Sequence, residues 1–377
     1  MRYDVAVVGL GGMGSATLAH CAKRGASVIG MEQFARGHDL GSSSGMSRMI
    51  RKAYFEDPDY VPLLLRAYDL WRELERESGE ELLQVTGLLM AGPEGCEIIT
   101  GATRAAREHS LPFESLNARE IRSRYPMLKV LDDEVGVYEP DGGVLDPERS
   151  VEAHLRVAEV AGAQLHFNAV METWEATANG FVIHLAEGGE VTSRALILSL
   201  GSWFQEALAS LGVVLRVQRN VQAWFKPATS LYSAPDFPPF LLDRKGLLAP
   251  LYGFPDFGAG VKAAFHSYGE FTDPAHVDRE INVGRDIEPI REAMEQWMPG
   301  AAATFHAAKP CLYSLTPDGH FVVDRHPEYA RLVLCGGFSG HGFKFAPVIG
   351  EIAADLALEG TSRHDIGFLS LRRFAQC

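Results

Sequence analysis

Cysteine is scarce and scattered. The 377 residues carry five thiols, Cys21, Cys96, Cys311, Cys335 and Cys377, with no Cys-x-x-Cys pair among them. An odd, widely spaced set argues against a disulfide framework or a zinc site, and it suits a reducing cytoplasm. No metal is expected. Basic residues are also in short supply. The 35 Lys and Arg against 49 Asp and Glu give a formal net charge of −14, which argues against nucleic acid or an anionic membrane as partner. No apolar run approaches membrane-spanning length. Residues 1–8 begin a strand directly, without the basic head or cleavage site of a signal peptide. The end, Phe374-Ala375-Gln376-Cys377, matches no simple peroxisomal or reticulum tag. Internal repeats and low-complexity tracts are absent too. These absences leave a cytoplasmic globular chain, long enough for two domains.

What is present starts at the first residues. Tyr3-Asp4-Val5-Ala6-Val7-Val8 reads as a buried strand, and Gly9-Leu10-Gly11-Gly12-Met13-Gly14 follows as GxGxxG. Residues 13–24 have helical spacing, and Ala26 to Met31 is a second strand ended by Glu32. Such a βαβ unit cradles a dinucleotide. Its glycines allow a tight turn, admit a pyrophosphate to the backbone and let helix pack on strand. The helix N-terminus offers free N–H groups, and Glu32 can accept hydrogen bonds from a ribose diol. The motif alone leaves FAD and NAD open.

Further on come a Gly/Ser-rich loop, Gly41 to Gly45, and an amphipathic helix from about Tyr60 to Arg76. A helix is expected near 147–162, with strands at 164–167, 181–185 and 195–201. Residues 216–310 are rich in aromatics, Pro and turns, and read as an antiparallel substrate-binding layer. Leu332 to Gly337 returns to the parallel-strand style, and a last helix spans about 346–358.

Three blocks carry a family resemblance. One contains Cys311-Leu312-Tyr313, Thr316-Pro317-Asp318, His320 to Asp324 and Gly337-Phe338-Ser339-Gly340-His341-Gly342-Phe343-Lys344-Phe345. A second is Ser47-Arg48-Met49-Ile50-Arg51-Lys52-Ala53-Tyr54. The third is Leu251-Tyr252-Gly253-Phe254-Pro255 with Lys262 and His266 behind it. In order and along nearly the whole chain, they resemble the monomeric sarcosine oxidase and N-methyltryptophan oxidase family. The resemblance implies an α/β fold: a glutathione reductase-like FAD-binding Rossmann domain joined to an antiparallel-sheet substrate domain. Residues 1–85, 140–215 and 316–377 would form the discontinuous FAD domain, and 86–139 with 216–315 the substrate and catalytic domain.

The same resemblance implies site roles. FAD would be covalent, through a thioether from Cys311 to the flavin 8α-methyl. The cofactor set is Gly9, Gly11, Gly12, Met13, Gly14, Glu32, Ser43, Arg48, Cys311, Gly340, His341, Gly342, Phe343 and Lys344. Arg51 and Lys344 would hold a substrate carboxylate, a task suited to paired, always-charged guanidinium donors. Lys262 would activate oxygen, His266 would position the substrate amine or tune its protonation, and Tyr252 and Tyr313 would line the pocket beside Arg48. One departure stands out: the family's Gly-Ser-His-His-Gly-Asp-Thr-Arg is here Gly41-Ser42-Ser43-Ser44-Gly45-Met46-Ser47-Arg48, which bears on the substrate side chain more than on the chemistry.

The expected activity is therefore oxidation of a secondary, N-methyl amino acid such as sarcosine by O₂. It yields an imine that hydrolyses, plus hydrogen peroxide, in a monomer with only small-molecule partners. The alternatives are a cyclic imino-acid oxidase of pipecolate or proline type, and an FAD-dependent dehydrogenase using another acceptor.

Overall fold

Val5-Ala6-Val7-Val8 is apolar at every position, so its strand must be covered on both faces. In the computed structural model, which describes residues 2–374, this is the strand Arg2–Val8. It runs parallel to Val28–Glu32 on one side and Glu190–Leu198 on the other. Gln164–Phe167 continues the sheet beyond Val28–Glu32 in parallel, and an antiparallel pair, Met171–Thr177 and Gly180–Leu185, extends the other edge. Leu332–Gly336 pairs in parallel with the end of Glu190–Leu198 and antiparallel with Val322–Arg325.

Helices Gly12–Lys23, Pro147–Val160, Val61–Ser78 and Ala346–Leu358 pack together over this sheet. The first and last lie close enough that a Cβ on Gly350 would come within 2.6 Å of the Ala16 carbonyl carbon. Glu351, buried beside that contact, accepts from Arg66 at 2.8 Å and His364 at 2.8 Å, so the last helix is also tied to the chain that follows it.

The second sheet has nine strands. Its path runs Glu270–Phe271, Arg216–Lys226, Val261–Phe265, Leu251–Phe254, Phe240–Leu242, Leu88–Pro93, Glu134–Glu139 and Glu114–Asn117. Thr304–Leu315 pairs along the whole of Arg216–Lys226, opposing Asn220 to Cys311 and Gln218 to Tyr313. All pairings are antiparallel except Phe240–Leu242 with Leu88–Pro93. First-sheet strands fall within residues 2–32, 164–198 and 322–336, and second-sheet strands within 88–139 and 216–315. A small third sheet pairs Arg48–Ile50 and Leu83–Val85 with Gly143–Leu145.

The helices expected at 13–24, 60–76, 147–162 and 346–358 are each present within two residues at either end. The strand expected over 195–201 stops at Leu198, and Gly201, at φ +54°, begins the 3₁₀ turn that follows. The stretch 216–310, read as an antiparallel layer, also contains the helix Glu288–Trp297. Its buried Ile290, Ala293, Met294 and Trp297 follow helical spacing and close the core of the second sheet. Cys377 lies outside the described residues.

The close contact of the first and last helices is testable. Gly350→Val should overpack it and destabilise the protein by about 1–3 kcal/mol, seen as a lower thermal midpoint. An unchanged midpoint would show that the helices are not in contact at this position.

Candidate active site

The first turn after Arg2–Val8 is built by backbone approach. Gly9 has φ +87°, and a Cβ there would overlap the Ser199 carbonyl. A Cβ on Gly14 would overlap the carbonyl oxygen of Gly9, so Gly14 lets the helix sit directly on the turn. Gly11, Gly12 and Met13 line a cavity of about 770 Å³. Its wall is completed by Ser43, whose Oγ accepts from the Gly12 amide at 3.0 Å. At the end of the second strand, Glu32 is buried and faces the same cavity. Burial opposes its charge, but His38 and the amides of Leu10 (2.9 Å) and Phe34 (3.1 Å) hold its pKa below the usual carboxylate value.

The cavity continues past Cys311, Tyr252, Tyr313 and His266 to the loop 340–344. Gly340 has φ +80°, and a Cβ there would strike the Tyr313 ring, so this glycine lets the loop lie against that ring. The Phe343 ring rests on Gly12, 3.0 Å from where a Cβ would stand, so the last-helix loop and the first turn share one wall. His341 bridges two partners. Its Nε2 lies 3.2 Å from the Gly319 carbonyl, which can only accept, so Nε2 carries the proton and Nδ1 accepts from the Tyr54 hydroxyl at 2.5 Å. Burial pushes its pKa down to about 3 and that of His266 to about 4, so both rings are neutral near pH 7.

Three cations line the cavity and a fourth stands behind it. Arg48 donates to the carbonyls of Ser47 (2.8 Å), Ser42 (2.9 Å) and Ser44, and approaches Cys311 Sγ at 3.7 Å. Arg51 is 4% exposed and lies 4.7 Å from the Tyr54 and Phe55 ring centroids. Lys344 is equally buried, 5.1 Å from the Tyr54 ring, and donates to the His341 carbonyl at 2.7 Å. Lys262, expected to face the ligand, is not part of the cavity wall. Its ammonium is taken by the Gly45 carbonyl (2.7 Å) and the Ser47 carbonyl and hydroxyl (2.9 and 3.2 Å). Burial and the Arg48 charge push its pKa well below the usual lysine value.

Two acids were missed by the sequence reading. Glu56 accepts from Arg51 Nη2 at 2.5 and 2.6 Å. Burial opposes its ionisation, but Arg51, His341 and Lys344 together hold its pKa at about 2. A resident carboxylate thus already neutralises part of the positive charge expected to call for a ligand. Its spacing of five from Arg51 in a segment without regular structure gave no periodic signal. Glu139 is 1% exposed, and burial pushes its pKa up to about 7. Even with Glu56 in place, Arg51 Nε is buried without a partner among the described residues. An oxygen ligand is the group such a donor lacks.

A glycine cradle, a buried acid at the second strand end and one continuous cavity fit FAD, and the class they define is a dinucleotide-dependent oxidoreductase. The chain belongs to the FAD dependent oxidoreductase family, whose profile matches residues 4–356. The monomeric sarcosine oxidase of Streptomyces avermitilis is 43% identical over 378 residues, covering 99% of this chain and 98% of that protein. The N-methyl-L-tryptophan oxidase of Yersinia pestis is 31% identical over 375 residues, covering 99% and 100%. Among solved structures, the open form of NikD, an unusual amino acid oxidase essential for nikkomycin biosynthesis, matches with TM-score 0.86 at 25% identity. It covers 98% of this chain and 97% of that one.

Lys344 makes anion binding pH-dependent. Burial and the Arg51 charge bring its pKa down to about 7 in the ligand-free protein, and a bound carboxylate would raise it. Affinity for acetate should therefore be greatest below pH 7. It should fall above that, by up to about tenfold per pH unit. Titrating acetate affinity against pH should show this slope, and Lys344→Met should flatten most of it. A pH-independent affinity in the parent protein would refute it.

Proposed function

We propose that the protein oxidises a secondary, N-methylated amino acid such as sarcosine, with O₂ as acceptor, working as a cytoplasmic monomer. The single observation that supports this most is the buried Arg51 guanidinium. Arg51 lines the cavity beside the Tyr54 ring that Lys344 also approaches, and its buried Nε has no partner among the described residues. The named activities of the two enzymes similar along the whole chain agree with it.

Bound FAD would supply two-electron oxidation of the substrate C–N bond and delivery of those electrons to O₂, releasing hydrogen peroxide. Water then converts the imine to an aldehyde and a primary amino acid. The chain's own residues bind and orient. Arg51 and Lys344 take the carboxylate by charge-assisted hydrogen bonds. His266, neutral by burial, can accept from the substrate nitrogen and cannot serve as an acid near pH 7. Tyr252 and Tyr313, with hydroxyls 3.5 Å apart, close the wall beside His266. Burial raises the pKa of each, so both stay neutral donors. Lys262, held by three acceptor oxygens, places positive charge one layer behind the wall. From there its field favours negative charge developing on oxygen.

A substrate panel followed by anaerobic flavin bleaching, then by peroxide release with O₂ as sole acceptor, tests the reading. N-methyl amino acids should outperform simple amines. A better response from amines lacking the carboxylate would overturn it.

We assign the flavin tether to Cys311, the one cysteine that lines the cavity among the described residues. Acid-precipitated protein should stay yellow and yield a flavin peptide containing Cys311. Full release of FAD into the supernatant would rule the tether out.

For Lys262→Met, rapid-mixing kinetics should show flavin reoxidation slowed on the order of a hundredfold or more, with reduction by substrate far less affected. Equal slowing of both half-reactions would remove the oxygen-specific role.

A further inference from the structure

The two rings and the carboxylate set against the Arg51 guanidinium come from one short segment. Residues 51–57 have neither helix nor strand, yet they carry Arg51, Tyr54, Phe55 and Glu56. Arg48–Ile50 ends just before the segment, and the Pro58–Tyr60 turn begins just after it. Without a ladder of its own, its backbone needs acceptors from elsewhere.

Glu139 supplies them. It is the last residue of the strand Glu134–Glu139 in the second sheet, where its backbone is in register with Leu88. Its two carboxylate oxygens accept separately, Oε1 from the Lys52 amide at 2.5 Å and Oε2 from the Ala53 amide at 3.1 Å. These two amides directly follow Arg51, so the carboxylate fixes the peptide planes on its C-terminal side. Donation to both oxygens suits the ionised form. On the segment's far side, the Phe55 backbone packs onto Gly101, where any Cβ would collide with it. Side chains also hold the segment, Lys52 Nζ to Asp141 at 2.7 Å and the Tyr54 hydroxyl to His341, but the Glu139 anchor is the one on the backbone next to Arg51.

We infer that Glu139 is a positioning residue for substrate binding: it aims Arg51 at the carboxylate by anchoring the two amides that follow it, without touching the ligand. The inference rests on the amino-acid oxidase reading. A buried acid is an expensive way to hold a loop merely in place. Its two diverging acceptors do what an amide side chain cannot, because one end of Gln is a donor.

The test is Glu139→Gln in the flavin-loaded enzyme. The acetate Kd, read from flavin absorbance, and the sarcosine KM should both rise by about ten- to a hundredfold, with kcat within about threefold. In an Arg51→Ala background the same change should add no further loss of acetate affinity, because the effect runs through Arg51. An unchanged acetate Kd in Glu139→Gln overturns the inference, as does an equal loss in both backgrounds. A second measurement needs no variant: in the parent holoenzyme the Lys52 and Ala53 amides should exchange with deuterium slowly, and fast exchange of both overturns the anchor. Acetate ignored by the parent enzyme would overturn the carboxylate reading, and this inference with it. Acetate binding that survives Glu139→Gln unchanged overturns this inference alone.

Discussion

Cations held away from water must be answered by fixed oxygen atoms, and the site is organised around that demand. Arg51, Lys262 and Lys344 are each no more than 4% exposed, and Arg48 is half-buried. Among the described residues one carboxylate, Glu56, pairs directly with any of them, and the remaining contacts are mostly carbonyls. The loop 41–48 turns its carbonyls inward, four of them reaching Arg48 or Lys262. That requires Gly45 at φ +115° and Met46 at φ +66°. The amides displaced outward by this geometry are collected by Glu148, at 2.6 Å from Gly45 and about the usual distance from Met46. Carbonyl dipoles solvate charge without cancelling it, so they lower the cost of burying these cations and leave the charge in place.

This arrangement divides labour between the two sheets. The first supplies the dinucleotide turn and, through Leu332–Gly336, the loop that carries His341 and Lys344. The second supplies Tyr252, Lys262, Cys311 and Tyr313 from strands whose mutual register is fixed by ladder hydrogen bonds, and His266 directly after the end of Val261–Phe265. Rigid strands suit groups in and just behind a cavity wall, because their spacing is set by pairing rather than by loop conformation. Arg51 and Glu56 ride on an irregular segment, where alternative pairings of the guanidinium cost least.

Much of this was legible in the sequence, for identifiable reasons. The Gly9–Gly14 turn and Glu32 could be read because glycine spacing encodes backbone approach, and that geometry is local. The helices from 61 and 346 could be read from apolar spacing. The resemblance located Cys311, His341 and Lys344 because they sit in a dense block of unusual residues. Glu56 and Glu139 were not legible: each acts on an irregular segment, Glu56 through Arg51 and Glu139 through the Lys52 and Ala53 amides, and isolated acids look like solvated surface. The placement of Lys262 behind the wall depends on the fold of a loop more than 200 residues earlier, which no local pattern encodes.

The contact of Phe343 with Gly12 has a consequence for biosynthesis. One wall of the cofactor cavity joins a residue near the start of the chain to one near its end. During translation the βαβ unit can fold early, but its cradle lacks that wall until the last helix has been made. The cavity is closed on this side only once residue 343 has joined it, and chains that stop short of that residue lack the surface.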